Sequence, residues 1–365
     1  MNKYNIKINF AHQTFKWNNE AKGKAAVYCV IIGFGLSDRV SKKLFQYATV
    51  IGDPSEVEAK QINAYLVDAE NVFINARSTP ICKVPKMVYG NKPTDDGNLF
   101  IKANEYEDFV AKEPNAKKYI RKIYGADEYI NNKTRYCLWL VGAEPSELKK
   151  MPFVMERIER VRQFRLASPK KATRESAKTP ALFQEIRQPN KDYIIIPRHS
   201  SENRDYIPLG FVASDILVND AATILPDASI YELGLLTSSM HMAWMRYVCG
   251  RIKSDYRYSN TIVYNNFPFP NPTEKQKTAI EKAAQTVLDV RLLYPNSNLA
   301  DLYNPLTMPK ELLKAHQKLD RVVEAAYGKN FTTDADRVTH LFNLYQKMTE
   351  GLFTEKPNQA KRRAK

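Results

Sequence analysis

The segment from Cys249 to Asn260, CGRIKSDYRYSN, interleaves charged and apolar side chains at alternate positions. If residues 251–257 are extended, the two-residue period of a strand places Arg251, Lys253, Asp255 and Arg257 on one side, with Ile252, Tyr256 and Tyr258 nearer the other. A lysine donates to guanine O6 and N7, an aspartate accepts from cytosine N4, and an arginine forks onto guanine, so this row has the chemistry of a major-groove reader. Lys253 and Asp255 would then address the two halves of one G·C pair. The competing reading is an ion pair between neighbours on an exposed edge, and the spacing alone leaves the two equal.

A second group of donors lies upstream. Tyr193–Pro197 and Tyr206–Phe211 read as strands joined by the polar tip Arg198-His199-Ser200-Ser201-Glu202-Asn203-Arg204, in which Arg198, Ser200, Ser201, Asn203 and Arg204 suit backbone phosphates. Met151–Ala167 reads as a helix, with Val154, Ile158 and Val161 on its apolar face and Arg157, Arg160, Arg162 and Arg165 on the other. The basic run continues through Lys170, Lys171 and Arg174, and its density makes Arg157, Arg160, Lys170 and Lys171 further phosphate candidates beyond a merely solvated face.

The whole chain agrees with a polyanionic partner. Fifty-five Lys and Arg stand against 40 Asp and Glu in 365 residues, a formal charge of +15 that exceeds what solubility needs. Nucleic acid is the leading class, against a ribosomal or generic basic surface. A membrane role is disfavoured, because no apolar run of ~18 residues exists. The first residues, MNKYNIKINFAHQTFKW, lack the apolar stretch of a signal peptide, so a cytoplasmic location is expected. Cys29, Cys82, Cys137 and Cys249 are far apart with no CxxC, and the five histidines show no ligand spacing, so free buried thiols and no metal are expected.

The elements that must position these residues form an α+β chain. Ile6–Phe10 and Val27–Ile32 read as a hairpin that wants a larger sheet, followed by a polar connector over 36–64. Short strands follow at Val72–Ile74, Leu99–Ile101 and Tyr136–Leu140, with a helix from Glu105 to Tyr124 around Pro114, stopping at Gly125. Glu232–Val248 is expected as one helix in which His241 is a packing residue. The last hundred residues read as helices: a capping box at Thr273-Glu274-Lys275-Gln276, a second start at Pro309, a third helix over Asp334–Leu352, and a frayed basic tail at Lys361–Lys365.

Several long stretches resemble the C-terminal half of MmeI-like enzymes, single-chain type IIL restriction-modification proteins and related solitary methyltransferases. They are FAHQTFKWNNEAKGKAAVYCVIIGF, VPKMVYGNKPTDDGNL, RYCLWL, YIIIPRHSSENRDYIPLGF, SSMHMAWMRYVCGRIKSDYRYSNTIVYNNFPFP and LADLYNPLTMP, in order along essentially the whole chain. The resemblance implies an S-adenosylmethionine-dependent DNA adenine-N6 methyltransferase. It implies the last hairpin of a Rossmann-like methyltransferase sheet at 1–35, a target recognition domain at 65–270 after the connector, and a C-terminal helical domain at 271–365. It also implies that Lys253 and Asp255 read the base pair 3′ of the target adenine, with Arg257 reading on the adenine's other side.

The chain departs from a complete enzyme. A class I methyltransferase uses a glycine-rich turn after its first strand, and an adenine-N6 enzyme an Asn/Asp-Pro-Pro-Tyr/Phe loop for the flipped base. Gly33-Phe34-Gly35 follows a late strand, Asn266-Phe267-Pro268-Phe269 follows the recognition segment, and no nuclease cluster of the PD-(D/E)xK kind is evident. The expectation is a fragment that binds DNA weakly, binds no cofactor itself and methylates nothing alone, with the methyltransferase domain upstream in the same polypeptide. A specificity subunit that docks in trans onto a separate methyltransferase, and a basic RNA-binding or structural protein, are the alternatives.

Overall fold

The computed structural model describes residues 4–17, 27–47, 50–252 and 254–350. Strands β1 (Lys7–Trp17) and β2 (Val27–Gly35) pair antiparallel. The stretch expected as a connector supplies β3 (Lys42–Gln46) and β4 (Ser55–Ala59), and the sheet runs β2-β1-β3-β4. Its alternation was hidden among charges. Leu44 is buried with Ile8, Ala11, Ala59 and Ile62, while Lys43 reaches across the strands to Glu56 at 2.8 Å.

The chain continues through β5 (Val88–Tyr89), β6 (Phe100–Lys102), α1 (Tyr106–Lys112), β7 (Ile120–Tyr124), α2 (Ala126–Ile130) and β8 (Arg135–Leu138). The helix expected over 105–124 is therefore short. Pro114 lacks an N–H and disfavours helix at Glu113, so a 3-10 turn (Pro114–Tyr119) intervenes and Ile120 and Ile123 enter the core from a strand. The Val72–Ile74 segment buries Val72 but pairs with no strand.

Helices α3 (Pro145–Leu148), α4 (Pro152–Leu166) and α5 (Lys171–Ser176) come next, and α4 lays Val154, Ile158 and Val161 against the sheet that holds β7, β8 and β6. Before that sheet closes, β9 (Tyr193–Pro197), β10 (His199–Ser200) and β11 (Gly210–Val212) precede β12 (Leu217–Val218) and β13 (Ala222–Leu225). The apolar run Tyr193–Pro197 is buried at the centre of a sheet ordered β11-β9-β13-β5. The strand expected over 206–211 is confined to its end, since Tyr206, Ile207 and Leu209 pack into the core outside any ladder.

The expected single helix over 232–248 is two, α6 (Ile230–Leu236) and α7 (Ser239–Val248). Ser238 restarts it: its Oγ accepts from the His241 N–H at 3.5 Å. A hairpin follows, β14 (Gly250–Ile252) and β15 (Asp255–Arg257), and then α8 (Glu274–Leu292), α9 (Leu299–Leu302), α10 (Lys310–Ala326) and α11 (Asp334–Thr349).

These last helices share a core with the preceding domain. Trp244 is fully buried, its ring centroid 5.6 Å from that of Phe342 and 6.0 Å from that of Tyr345. At Gly234 a Cβ would stand 2.9 Å from Ile280 and 3.1 Å from Ala284, so glycine lets α6 approach α8. Polar pairs lock the joint, with Tyr206 Oη donating to Asp320 Oδ2 at 2.6 Å and the Ser239 N–H donating to Asp320 Oδ1 at 2.7 Å. No helix among the described residues is long and apolar enough to cross a membrane.

Candidate nucleic-acid interface

The segment 251–257 is a hairpin and not a continuous strand. Ile252 faces Asp255, Arg251 faces Tyr256, and Gly250 faces Arg257. A two-stranded ribbon is marginal in water, and here β10 adds a third strand, pairing His199 with Arg257 and Ser200 with Tyr256. The two polar segments of the sequence thus meet in one small sheet, β10-β15-β14.

Its inner face is anchored by aromatics. Tyr256 and Tyr258 are buried, and Tyr258 Oη lies 3.0 Å from His241 Nε2. His241 is a packing residue held neutral by burial, its pKa pushed down to about 3. Cross-strand pairing places Arg251 on the face of Tyr256, correcting the expected single row. Its guanidinium stacks 4.4 Å from the Tyr256 ring and donates to the carbonyls of Ser254 (2.8 Å) and Arg246 (3.3 Å). Arg251 therefore braces the turn.

The outer face carries Ile252, Asp255, Arg257 and His199, all solvent-exposed. Lys253 lies outside the described residues. Asp255 Oδ1 accepts the Glu202 N–H at 3.3 Å. Burial, then the positive charges of Arg198 and Arg257, hold the His199 pKa below its ordinary value, so its imidazole is neutral near pH 7. His199 was missed, although it sat inside the polar tip; only its register opposite Arg257 puts it beside the candidate residues.

The expected phosphate contacts divide. Arg198 donates to the Asp220 carbonyl at 2.9 Å and stacks over Tyr89, which makes it a scaffold group. Ser200 is buried and its Oγ accepts from Arg204 at 3.3 Å, while Ser201 Oγ accepts the Asn203 N–H at 3.3 Å. Ser201, Arg204 and Asp255 line a shallow groove of about 630 Å³ together with Glu128, Arg135 and Asn219.

The basic face of α4 is also corrected. Arg165 is buried, spending its guanidinium on the carbonyls of Pro93, Thr94, Ser176, Thr179 and Leu182 at 2.7–3.1 Å. Arg157 donates to the carbonyls of Asn98 and Phe100, both at 2.9 Å. Arg160 pairs with Glu156, and Arg162 with Glu159. Lys170 and Lys171 remain exposed, with Lys171 3.9 Å from Glu175.

The implied S-adenosylmethionine does not fit the residues here. Gly33 stands on β2 with the Phe10 ring in the place of its side chain, so the Gly33-Phe34-Gly35 glycines serve strand packing. Phe267 and Phe269 of the second candidate loop are buried in the core. Among the described residues no group of three or more His, Cys, Asp or Glu is arranged to hold a metal ion. Cys137 is buried and Cys29, Cys82 and Cys249 are half-buried free thiols.

Residues 68–271 match the family model of the MmeI target recognition domain, 272–353 that of the MmeI C-terminal domain, and 1–46 that of the MmeI DNA-methyltransferase domain. DNA methyltransferase A of Bacillus subtilis (strain 168) is 43% identical over 350 residues, which is 95% of this chain and 39% of that protein. The solved structure of the type IIL restriction-modification enzyme MmeI in complex with DNA is 52% identical with a TM-score of 0.87, covering 95% of this chain and 46% of that one. The chain thus spans less than half the length of either relative.

Proposed function

The chain belongs to the MmeI family, and from that premise we propose that it recognises a specific sequence in duplex DNA for an adenine-N6 methyltransferase of the restriction-modification kind. The carrying observation is the outer face of the sheet β10-β15-β14, where Asp255 and Arg257 stand exposed on a ribbon whose tyrosines are fixed in the core. The major groove admits a two-stranded β-ribbon, and the hairpin β14-β15 is one, with β10 behind it on the edge away from β14. Asp255 accepts from a cytosine amino group, Lys253 donates to the guanine paired with it, and Arg257 forks onto a further guanine. Guanine then follows the methylated adenine.

Backbone contacts come from Ser201 and Arg204 on the groove, from the neighbouring Asn203, and from Lys170 and Lys171. They set register and carry no sequence information. Cofactor binding and methyl transfer belong to a methyltransferase domain of which residues 1–46 are the end. In support, Val30, Ile32 and Phe34, which alternate onto one side of β2, are between 41% and 66% exposed, a large apolar face for a strand of a folded sheet.

Selection of bound duplexes from a random pool tests the reading. The wild-type chain is expected to enrich one motif containing a G·C pair that Asp255→Asn no longer enforces. Enrichment of no motif contradicts it.

A further inference from the structure

The methyltransferase-like sheet touches the recognition tip directly. Tyr28, on β2, donates its phenol to Glu202 Oε1 at 2.7 Å across 174 residues of sequence. The Ser254 side chain, between β14 and β15, is a second polar neighbour of the Tyr28 phenol. Glu202 then gives its N–H to Asp255 Oδ1. A continuous path of hydrogen bonds therefore runs from β2 to the carboxylate proposed to read a base. The same sheet is tied to the body from β1, where Gln13 Nε2 donates to the Leu66 carbonyl at 2.8 Å.

We propose that Tyr28 is a positioning residue for base readout, so that the recognition sheet takes its reading geometry from the methyltransferase-like strand that grips its tip. The inference rests on the function proposed above. The physical need is plain. The Ile252–Asp255 pair is the last of its ladder among the described residues, and Asp255 has one long bond to a backbone N–H on a neighbouring loop. A tyrosine has two side-chain torsions to freeze, so it tethers the turn at small entropic cost, and it ties the Glu202 carboxylate away from the bases that its charge would otherwise disturb. One consequence is mechanical. The distance between the base read and the base methylated becomes fixed by a bond between the two units, not by a flexible joint.

The test uses the full chain and the motif it selects. Kd is measured for the preferred duplex and for one exchanged at the G·C pair that Asp255 reads, alongside thermal stability and the salt dependence of binding. Tyr28→Phe is expected to cut the ratio of the two affinities about tenfold, within the discrimination one base contact supplies, while Tm and salt slope stay at wild-type values. Glu202→Gln retains an acceptor for the phenol and is expected to keep the ratio, and Glu202→Ala to lose it. Should Tyr28→Phe fail to fold, Glu202→Ala against Glu202→Gln decides alone. A full wild-type ratio in Tyr28→Phe, or in Glu202→Ala, overturns the inference and leaves the parent reading standing; a wild type with no base preference overturns both.

Discussion

Arg246 at the end of α7 donates to the Asp334 carboxylate on the first turn of α11, 88 residues later, while its second terminal nitrogen reaches the carbonyls of Arg204 and Asp205. Arg337 holds the other oxygen of Asp334 at 3.2 Å and Glu324 at 2.7 Å. The last helix thereby braces the base of the polar tip and, through the Arg246 carbonyl, Arg251. Asp334→Ala leaves a half-buried guanidinium without its carboxylate and is expected to cost about 1–3 kcal/mol in urea unfolding. It should also weaken base discrimination, read as the affinity ratio between preferred and altered duplexes.

The shared core predicts a single unfolding transition for the recognition and helical parts. Trp244 projects from α7 onto Phe342 and Tyr345 of α11, so Trp244→Ala should destabilise by about 3–5 kcal/mol and lower the signals of both parts together. Two separated transitions in calorimetry would show that the helices fold as an independent unit.

Two buried histidines set a pH dependence. Burial holds the pKa of His241 at about 3 and that of His316 well below its ordinary value, while both sit near 6.5 when unfolded. The unfolded chain therefore binds more protons, and stability is lost as pH falls from about 6.5 toward about 3. At pH 5 His241 alone is expected to cost about 2 kcal/mol relative to pH 7. Denaturation of wild type and His241→Gln at both pH values checks this, the variant being the flatter.

Phosphate contact predicts steep salt dependence. Lys170→Ala with Lys171→Ala should lower affinity equally for preferred and random duplexes and reduce the slope of log K against log salt by about 1–2. A loss confined to the preferred duplex would place these lysines among the readers.

Local signals carried much of the fold. The Tyr193–Pro197 run became the centre of a sheet, and the helix read over 151–167 runs over Pro152–Leu166. The capping box is in place, with the Thr273 N–H donating to Gln276 Oε1 at 2.9 Å. Charge was the misleading signal. Arg165 follows the helical period of Val154, Ile158 and Val161 and is as buried as they are, because a ring of loop carbonyls offered it five acceptors that no local pattern reveals. The recognition segment was legible in composition and not in register. Its alternation was right within each strand, but the chain reverses between Ile252 and Asp255, which sends Arg251 to the other face. Tyr28 and His199 were invisible for another reason: each owes its place to pairing between distant segments, and sequence spacing holds no record of that.

The central claim, that the charged heads of this ribbon read bases, is tested most directly by exchanging the two proposed partners of the G·C pair. Motif selection from random duplexes with Lys253→Glu combined with Asp255→Arg should return cytosine where the wild type demands guanine, with the rest of the motif and the thermal stability unchanged. An unaltered motif from the folded double variant would contradict the account.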